Sequence, residues 1–278
     1  MALFEFELTP LDKMTPWGNQ SDLSLHWFGL TDGIYYLNVG NEQLFRFSKE
    51  ILQHWRKEYP KLDGFKDHVD YQVVRLYEDV LEILPDILSP IPTEVYSLIE
   101  TPLVQKKWIA DLTKVLTTED DNELYETCYQ ATDWWAYRQL STIHLNQGPD
   151  IWFFRVDDMI HIRWCNDEKK IDGIQPWAAL TGDWQLPVAQ FIQEIEAFHN
   201  RLMKEMGERI EILRTNNPIP HIKIDMDNLV KEHEQRIKPL ETVLTSEPRT
   251  VNWNEVISTT KTLIQSASSS SCNNACHR

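Results

Sequence analysis

The sequence predicts an α+β fold in which a small antiparallel sheet packs with several helices and the C-terminal helices lie outside. Two groups of short segments, rich in aromatic and β-branched residues, predict the strands. The group near the N-terminus should form a meander, and the central group should form a hairpin. A continuous apolar stripe at helical spacing over residues 187–213 predicts a long helix.

The N-terminal strands are predicted from alternation and from turn residues. Residues 3–8 alternate apolar and acidic side chains over most of their length, which is typical of an edge strand. Three further segments are enriched in aromatic and β-branched residues and are separated by turn residues at Asp32-Gly33 and Gly40-Asn41. The three predicted meander strands are 24–28, 34–39 and 43–47.

Most of the remaining chain is predicted to be helical. Ser48 is a suitable N-cap for a helix over 49–59. A helix over 67–84 should stop at Pro85, because proline cannot donate a backbone hydrogen bond. Shorter or less apolar helices are predicted within 89–103, 106–116, 120–140, 225–244 and 253–264.

The central hairpin consists of Ile151–Val156 and Met159–Cys165 on either side of an Asp157-Asp158 turn. Alternate side chains of a strand share a face, and one face of this hairpin should enter the core. The other face should carry side chains able to bind an anionic group or a partner's carboxylates. These are Arg155, Phe153, His161 and Arg163. A solvated or helix-covered face is the alternative interpretation.

The stretch from Trp134 to Trp164 is the most distinctive part of the chain, because it holds four of the eleven tryptophans and several arginines. Trp134 and Arg138 are four residues apart on a predicted helix, so the guanidinium can stack on the indole. A buried Arg138 would need an acidic partner, and Asp133 and Asp158 are the candidates. The stretch is either a binding pocket or part of the scaffold.

The domain organisation follows from the breaks in these patterns. Residues 1–215 are predicted to form a single α+β domain, and 216–265 a helical extension that begins at a proline-containing break. The serine-rich tail, 266–278, lacks a core pattern and is predicted to be disordered. Its possible ligands Cys272, Cys276 and His277 lack a fourth partner, so no metal site is predicted.

Composition narrows the class of partner. The 278-residue chain has a formal net charge of −16, which argues against binding to nucleic acid and is compatible with a basic protein partner. No apolar run is long enough to span a membrane and the N-terminus does not resemble a signal peptide, so a cytoplasmic location is expected. The composition does not define an oligomeric state.

Catalytic motifs are missing from the sequence. The nine glycines form neither a phosphate-binding loop nor a nucleophile elbow, and no H-E-x-x-H motif occurs. His199 has acidic neighbours on the long helix, which is typical of a solvated face. We therefore predict no catalytic residue, no cofactor and no metal.

Several elements in a fixed order resemble an uncharacterised bacterial family of unknown function over about residues 3–215. They are Phe6–Leu11 with Pro16–Gly18, Trp27–Gly33, Trp134-Trp135 with Arg138, Pro149–Trp164 and Phe198–Arg209. The family brings no activity with it. Families of this size and composition often resemble immunity proteins encoded beside polymorphic toxins, which implies such a role by analogy.

The first functional hypothesis is a non-catalytic, immunity- or antitoxin-like protein that neutralises a basic toxin domain through an acidic surface. Its contact residues should be exposed carboxylates at a helix start and on the hairpin loops. The candidates are Glu119, Asp120, Asp121, Glu123, Asp157, Asp158, Asp167 and Glu168.

Two other hypotheses remain open. An enzyme acting on a small anionic substrate would use an Arg/His/Trp pocket, and its candidate lining is Trp134, Arg138, Arg155, His161 and Arg163. A sugar-binding protein would need at least two coplanar, exposed tryptophans.

Overall fold

The computed structural model describes residues 2–19, 22–62, 64–99 and 122–262. Two antiparallel sheets pack with helices in these residues, so the predicted α+β class is confirmed. Among the described helices, none combines the length and the apolar content that crossing a bilayer requires.

The first sheet is built around one central strand. Its strands are β1 (Phe4–Leu8), β2 (Asp32–Val39), β3 (Glu42–Leu44) and β4 (Val69–Gln72). Strand β2 pairs with β1 along one edge and with β3 and β4 along the other. Gly40 has a positive φ of 65° and makes the tight β2–β3 turn, which a residue with a Cβ adopts only at a cost.

The prediction for residues 24–28 is wrong. Only Ser24 forms a β-bridge there, and the chain then enters a 3-10 turn at Gly29–Thr31. Trp27 and Leu30 are both fully buried, and their spacing of three residues suits a turn rather than a strand. In the sheet, β1 takes the place that this segment was expected to fill.

The helix predicted over 67–84 is also corrected at both ends. Residues Val69–Gln72 form β4, because they pair with the start of β2 far away in the sequence. The helix then begins at Val73 and continues through Pro85 to Leu88. Only the last turn follows the proline, so the missing backbone donor interrupts little of the helix.

The second sheet has the order β5-β6-β7, with β5 over Ile151–Val156, β6 over Met159–Cys165 and β7 over Thr181–Pro187. The predicted hairpin is confirmed, and Val156 pairs with Met159 across the two-residue turn. Asp157 has a φ of 51°, a conformation that aspartate tolerates better than most residues. Strand β7 was not predicted.

The helices are α1 (Lys49–Glu58), α2 (Val73–Leu88), α3 (Thr93–Leu98), α4 (Asn122–Ala136), α5 (Val188–Asn216), α6 (Met226–Arg236), α7 (Pro239–Leu244) and α8 over 253–262. The predicted cap of α1 is confirmed, because Ser48 Oγ accepts a hydrogen bond from the Ile51 N–H at 3.1 Å. The long helix predicted at 187–213 is α5. The helix predicted at 106–116 lies outside the described residues.

Two hydrophobic cores flank the second sheet. The main core contains the inner faces of both sheets, and α2 and α5 contact both of them. The second core lies on the other face of β5 and β6, where Trp134, Trp152 and Phe154 are buried together. Strands β5 and β6 are therefore covered on both faces, whereas much of β7 is exposed.

The segment after Asn216 packs on the outside but contributes to both cores. Leu229 on α6 and Leu240 on α7 are buried in the main core, and Val256 on α8 is buried in the second core. His233 accepts a hydrogen bond from the indole N–H of the fully buried Trp27 at 3.3 Å. The domain boundary near residue 215 stays a prediction.

Replacing Gly182 with alanine should destabilise the fold, because a Cβ there would lie 2.2 Å from the buried Trp164 ring. Overpacking of this kind costs about 1–3 kcal/mol. Urea denaturation followed by tryptophan fluorescence measures the change.

The matched control is Gly207→Ala on α5, where the nearest atom belongs to the His233 side chain, 3.3 Å away. Alanine favours a helix over glycine by about 1 kcal/mol, so this variant should be as stable as the wild type or more stable. Equal unfolding midpoints for the two variants would contradict the predicted clash.

Candidate functional site

The register of the central hairpin decides which side chains share a face. Phe154 lies opposite His161, and Trp152 lies opposite Arg163. Residues directly opposite each other project from the same face, so His161 and Arg163 face the second core. Arg155 lies opposite Ile160 and projects from the other face.

The expected face bearing Arg155, Phe153, His161 and Arg163 is therefore wrong. Because the turn has two residues, each even-numbered residue of β5 lies opposite an odd-numbered residue of β6. Alternation within each strand is correct, but the two strands are offset by one residue relative to the expectation. His161 and Arg163 consequently share a face with aromatic side chains that enter a core.

Arg163 is almost completely buried, and groups from several parts of the fold hold it. Its Nε donates to Asp183 Oδ2 at 2.8 Å, and a terminal nitrogen donates to the Ile99 carbonyl oxygen. The guanidinium carbon lies 4.4 Å from the centre of the Tyr96 ring. A planar guanidinium satisfied by a carboxylate, a carbonyl and an aromatic face is typical of a buried structural arginine.

His161 belongs to the same cluster. Its Nδ1 lies 2.8 Å from the Tyr96 hydroxyl and 3.7 Å from Asp183 Oδ1. Burial alone would raise the pKa of Asp183, but the contacts with His161 and Arg163 hold that pKa below its usual range. Asp183 is thus a carboxylate at neutral pH. It neutralises the positive charge of Arg163, to which an anionic substrate would have to bind.

Arg138 lies in the second core, 1% exposed, between two indoles. Its guanidinium carbon is 5.7 Å from the ring centres of both Trp134 and Trp253. Its terminal nitrogens donate to the carbonyl oxygens of Trp134 and Ser89, each at 3.2 Å. Burial lowers the pKa of Arg138 to about 10, and the charge of Asp86 opposes this shift.

The acidic partner expected for Arg138 is therefore neither Asp133 nor Asp158. Asp86 is the carboxylate that acts on its charge, and Asp86 is itself bound by Arg249 at 3.1 Å. Within the described residues, Nε of Arg138 has no hydrogen-bond partner. Arg138 stays buried through carbonyl and aromatic contacts rather than through an ion pair.

Arg155 holds the hairpin turn and the end of α2. It donates to the Leu88 carbonyl oxygen at 2.6 Å and to the Asp157 carbonyl oxygen at 3.0 Å. Trp134 and Arg138 thus form one group, His161 and Arg163 a second, and Arg155 lies apart from both. The pocket required by the enzyme hypothesis stays a prediction.

The acidic candidates fall at two ends of the second sheet. Asp157 and Asp158 occupy the β5–β6 turn, whereas Asp167 and Glu168 follow the far end of β6. Strand β6 has seven residues, so the two pairs are about 20 Å apart. They lie at opposite ends of this strand, and their role in a contact surface stays a prediction.

The remaining acidic candidates cannot be placed. Glu119, Asp120 and Asp121 lie outside the described residues, and the side chain of Glu123 on α4 does as well. Cys272, Cys276 and His277 also lie outside them. The described part of the chain holds no group of three side chains arranged to bind a metal ion.

A buried polar cluster connects the first sheet with α2 and with the loop that precedes β5. His144 Nε2 lies 3.0 Å from the Tyr35 hydroxyl, and His144 Nδ1 lies 3.8 Å from Asp79 Oδ2. Arg75 Nε approaches the other oxygen of Asp79 at 3.3 Å. Neither His144 Nδ1 nor Asp79 Oδ2 has a hydrogen-bond partner in the described structure.

Burial keeps the His144–Asp79 pair uncharged. It raises the pKa of Asp79 to about 7, with the charges of Glu78 and Glu82 adding to the effect and Arg75 opposing it. Burial and the charge of Arg75 lower the pKa of His144 to about 4. At a pH between these two pKa values, a neutral imidazole therefore faces a protonated carboxyl group.

An aromatic cavity of about 330 Å³ opens beside α1. Four aromatic residues line it: Phe47, Trp55, Tyr59 and Trp177. The rings of Phe47 and Trp177 stack at 5.1 Å, and Phe47 meets Trp55 edge-on at 4.9 Å. The other lining residues are Leu145, Asn146, Ile171 and Asp172.

A sugar-binding protein was expected to need at least two coplanar, exposed tryptophans, and the described residues do not provide them. Of the tryptophans that the structure describes, Trp17 alone is largely exposed. Trp177 in the aromatic cavity is buried against Phe47. No pair of coplanar, exposed indoles is therefore available in this part of the chain to bind a sugar ring.

The model of a family of unknown function (DUF5984) matches residues 3–259. The chain belongs to this family. The predicted resemblance is confirmed, and the match extends beyond residue 215 through α6, α7 and most of α8. No curated protein and no solved structure matches the chain.

The residues that sequence reasoning missed are those with distant partners. Tyr35 and His144 are 109 positions apart, and Arg163 and Asp183 lie on strands of which only one was predicted. Each residue looks ordinary in its own segment of the sequence. The aromatic cavity has one local signal, because Trp55 and Tyr59 are four residues apart at the end of α1.

Asp79 and His144 should contribute to folding stability with opposite pH dependence. Removing either group should therefore reveal the pH dependence of the stability that the other one contributes. The raised pKa of Asp79 favours folding below about pH 4, and this contribution is lost as the pH rises through about 7. The lowered pKa of His144 favours folding above about pH 6.5, and this contribution is lost as the pH falls through about 4.

Asp79→Asn should therefore gain stability with rising pH between 4.5 and 6.5, relative to the wild type, by about 1 kcal/mol per pH unit. His144→Gln should lose stability over the same range. Urea denaturation at several pH values measures both slopes. Tyr35→Phe is the control, since it keeps both titrating groups and the removed hydroxyl does not itself titrate in this range. Parallel profiles for all variants would disprove the assignment.

Proposed function

We propose that the protein is a cytoplasmic, non-catalytic binding protein, immunity- or antitoxin-like, that neutralises a basic toxin domain through an acidic surface. The observation that carries this proposal is the acidic turn, Asp157-Asp158. Its backbone is fixed by the fold while its carboxylates remain in water.

The acidic turn is held from two sides. Arg155 Nε donates to the Asp157 carbonyl oxygen at 3.0 Å, and the Val188 N–H at the start of α5 donates to the Asp158 carbonyl oxygen at 2.9 Å. The Asp158 side chain is fully exposed (102%), and Arg155 approaches it only to 4.0 Å. Because the backbone is already ordered, binding at this turn costs little conformational entropy.

The distribution of charge supports a basic partner. The chain carries a net charge of −16, and complementary charge raises the rate of encounter with a basic domain. The buried arginines Arg138 and Arg163 are committed to contacts inside the fold. They do not place positive charge at the surface of the acidic turn.

The acidic residues at the far end of β6 are weaker candidates for the contact. Asp167 Oδ1 accepts hydrogen bonds from the Cys165 thiol and from the Thr181 hydroxyl, both at 3.3 Å. Glu168 also has an interaction within the protein. In our proposal the acidic turn makes the principal contact, and this second pair belongs to a separate surface.

Reversing charge at the acidic turn should slow association with a basic partner. The probe is an inactive form of a basic domain encoded beside the gene, and stopped-flow mixing at low salt measures the association rate. Asp158→Lys should lower this rate by up to about thirtyfold, since two unit charges at 4 Å in water interact by about 1 kcal/mol and the reversal counts twice. The effect should shrink in high salt.

The matched control is Glu208→Lys, which makes the same change in net charge at an exposed residue of α5, about 30 Å along the helix from its start beside the turn. It should leave the association rate within about twofold of the wild type. Equal slowing by both variants would mean that net charge alone acts. A failure of the wild-type protein to bind the neighbouring basic domain would overturn the proposed function.

A further inference from the structure

The aromatic cavity is built from three separate parts of the chain. Trp55 and Tyr59 lie one helical turn apart at the end of α1, and Phe47 precedes the helix. Trp177 forms the floor, and its indole N–H donates to the Gln147 carbonyl oxygen at 2.7 Å. The floor is thus fixed in orientation, while Tyr59 at the mouth is half exposed.

A carboxylate lies at the mouth of this cavity on a rigid turn. The backbones of Ile171 and Ile174 exchange two hydrogen bonds of 2.9 Å around Asp172 and Gly173. Asp172 itself has a φ of 51°. Its Oδ2 lies 3.2 Å from His54 Nε2, so α1 also helps to orient it.

The lining favours a cation over an anion or a neutral polar ligand. Among its described residues it contains one carboxylate and one amide but neither lysine nor arginine. The faces of aromatic rings carry partial negative charge and attract ammonium groups. Leu145 and Ile171 add apolar surface that suits methyl groups, whereas a sugar would require several further polar partners.

We propose that the aromatic cavity binds an alkylammonium group, with its methyl groups against the rings and its charge near Asp172. The cavity volume of about 330 Å³ lies at the small end of the range for ligand sites. The cavity shares no residue with the acidic turn, so this ligand does not depend on the partner proposed above.

Choline and its neutral isostere 3,3-dimethylbutan-1-ol test the requirement for charge, because they have the same shape. Calorimetric titration of the full chain should show saturable binding of choline. The isostere should bind at least tenfold more weakly, which corresponds to about 1.4 kcal/mol. Equal binding of the two compounds, or no binding of choline, would overturn the proposal.

Three variants locate the site. Asp172→Asn keeps a residue that tolerates a positive φ and should weaken choline binding several-fold, and Trp55→Leu should abolish it. Trp17→Leu is the control, because this indole is exposed but lies outside the cavity lining, and it should bind choline as the wild type does. Unchanged binding by folded Trp55→Leu would overturn the assignment.

A further titration distinguishes the sources of the cation. A short peptide containing trimethyllysine is compared with free choline under the same conditions. Tighter binding of the peptide supports a protein side chain as the natural ligand, and tighter binding of choline supports a small metabolite. Binding of neither, with the protein shown to be folded by its fluorescence, would refute an alkylammonium site.

Discussion

The burial of β5 and β6 on both faces is the constraint on which the rest of the structure depends. Antiparallel sheets commonly leave one face in water. Here β5 and β6 lie between the main core and the second core, so alternating side chains on β6 all leave bulk solvent. Arg163 is buried and His161 is partly buried for this reason, and a buried guanidinium is costly without compensation.

The two arginines buried in the second core are compensated in different ways. Arg163 receives a carboxylate counter-charge from Asp183, a residue of the neighbouring strand. Arg138 receives carbonyl oxygens and two indole faces, so its charge is solvated by dipoles and π electrons. The tryptophans of this region are therefore structural, and the positive charge that seemed available for a ligand is used within the fold.

The sequence predicts best what depends on neighbours in the chain. The stripe of α5, the Ser48 cap and the central hairpin are local patterns, and all three are present. Strand β4 is not local, since it exists only through pairing with β2. The same limit applies to the sites. The register across the turn determines which side chains share a face with Arg155, and His144 reaches Tyr35 from a loop far along the chain.

Part of the second core can form only after α8 has been synthesised. Trp253 on α8 contacts both Trp134 and Arg138, and Val256 is buried in the same core. A ribosome synthesises the hairpin before it synthesises α8, so the contacts of Trp134 and Arg138 with Trp253 are missing on the nascent chain until then. Aromatic surface that is exposed during synthesis is prone to aggregate. Among the described residues, α8 therefore adds the last part of the second core to be synthesised.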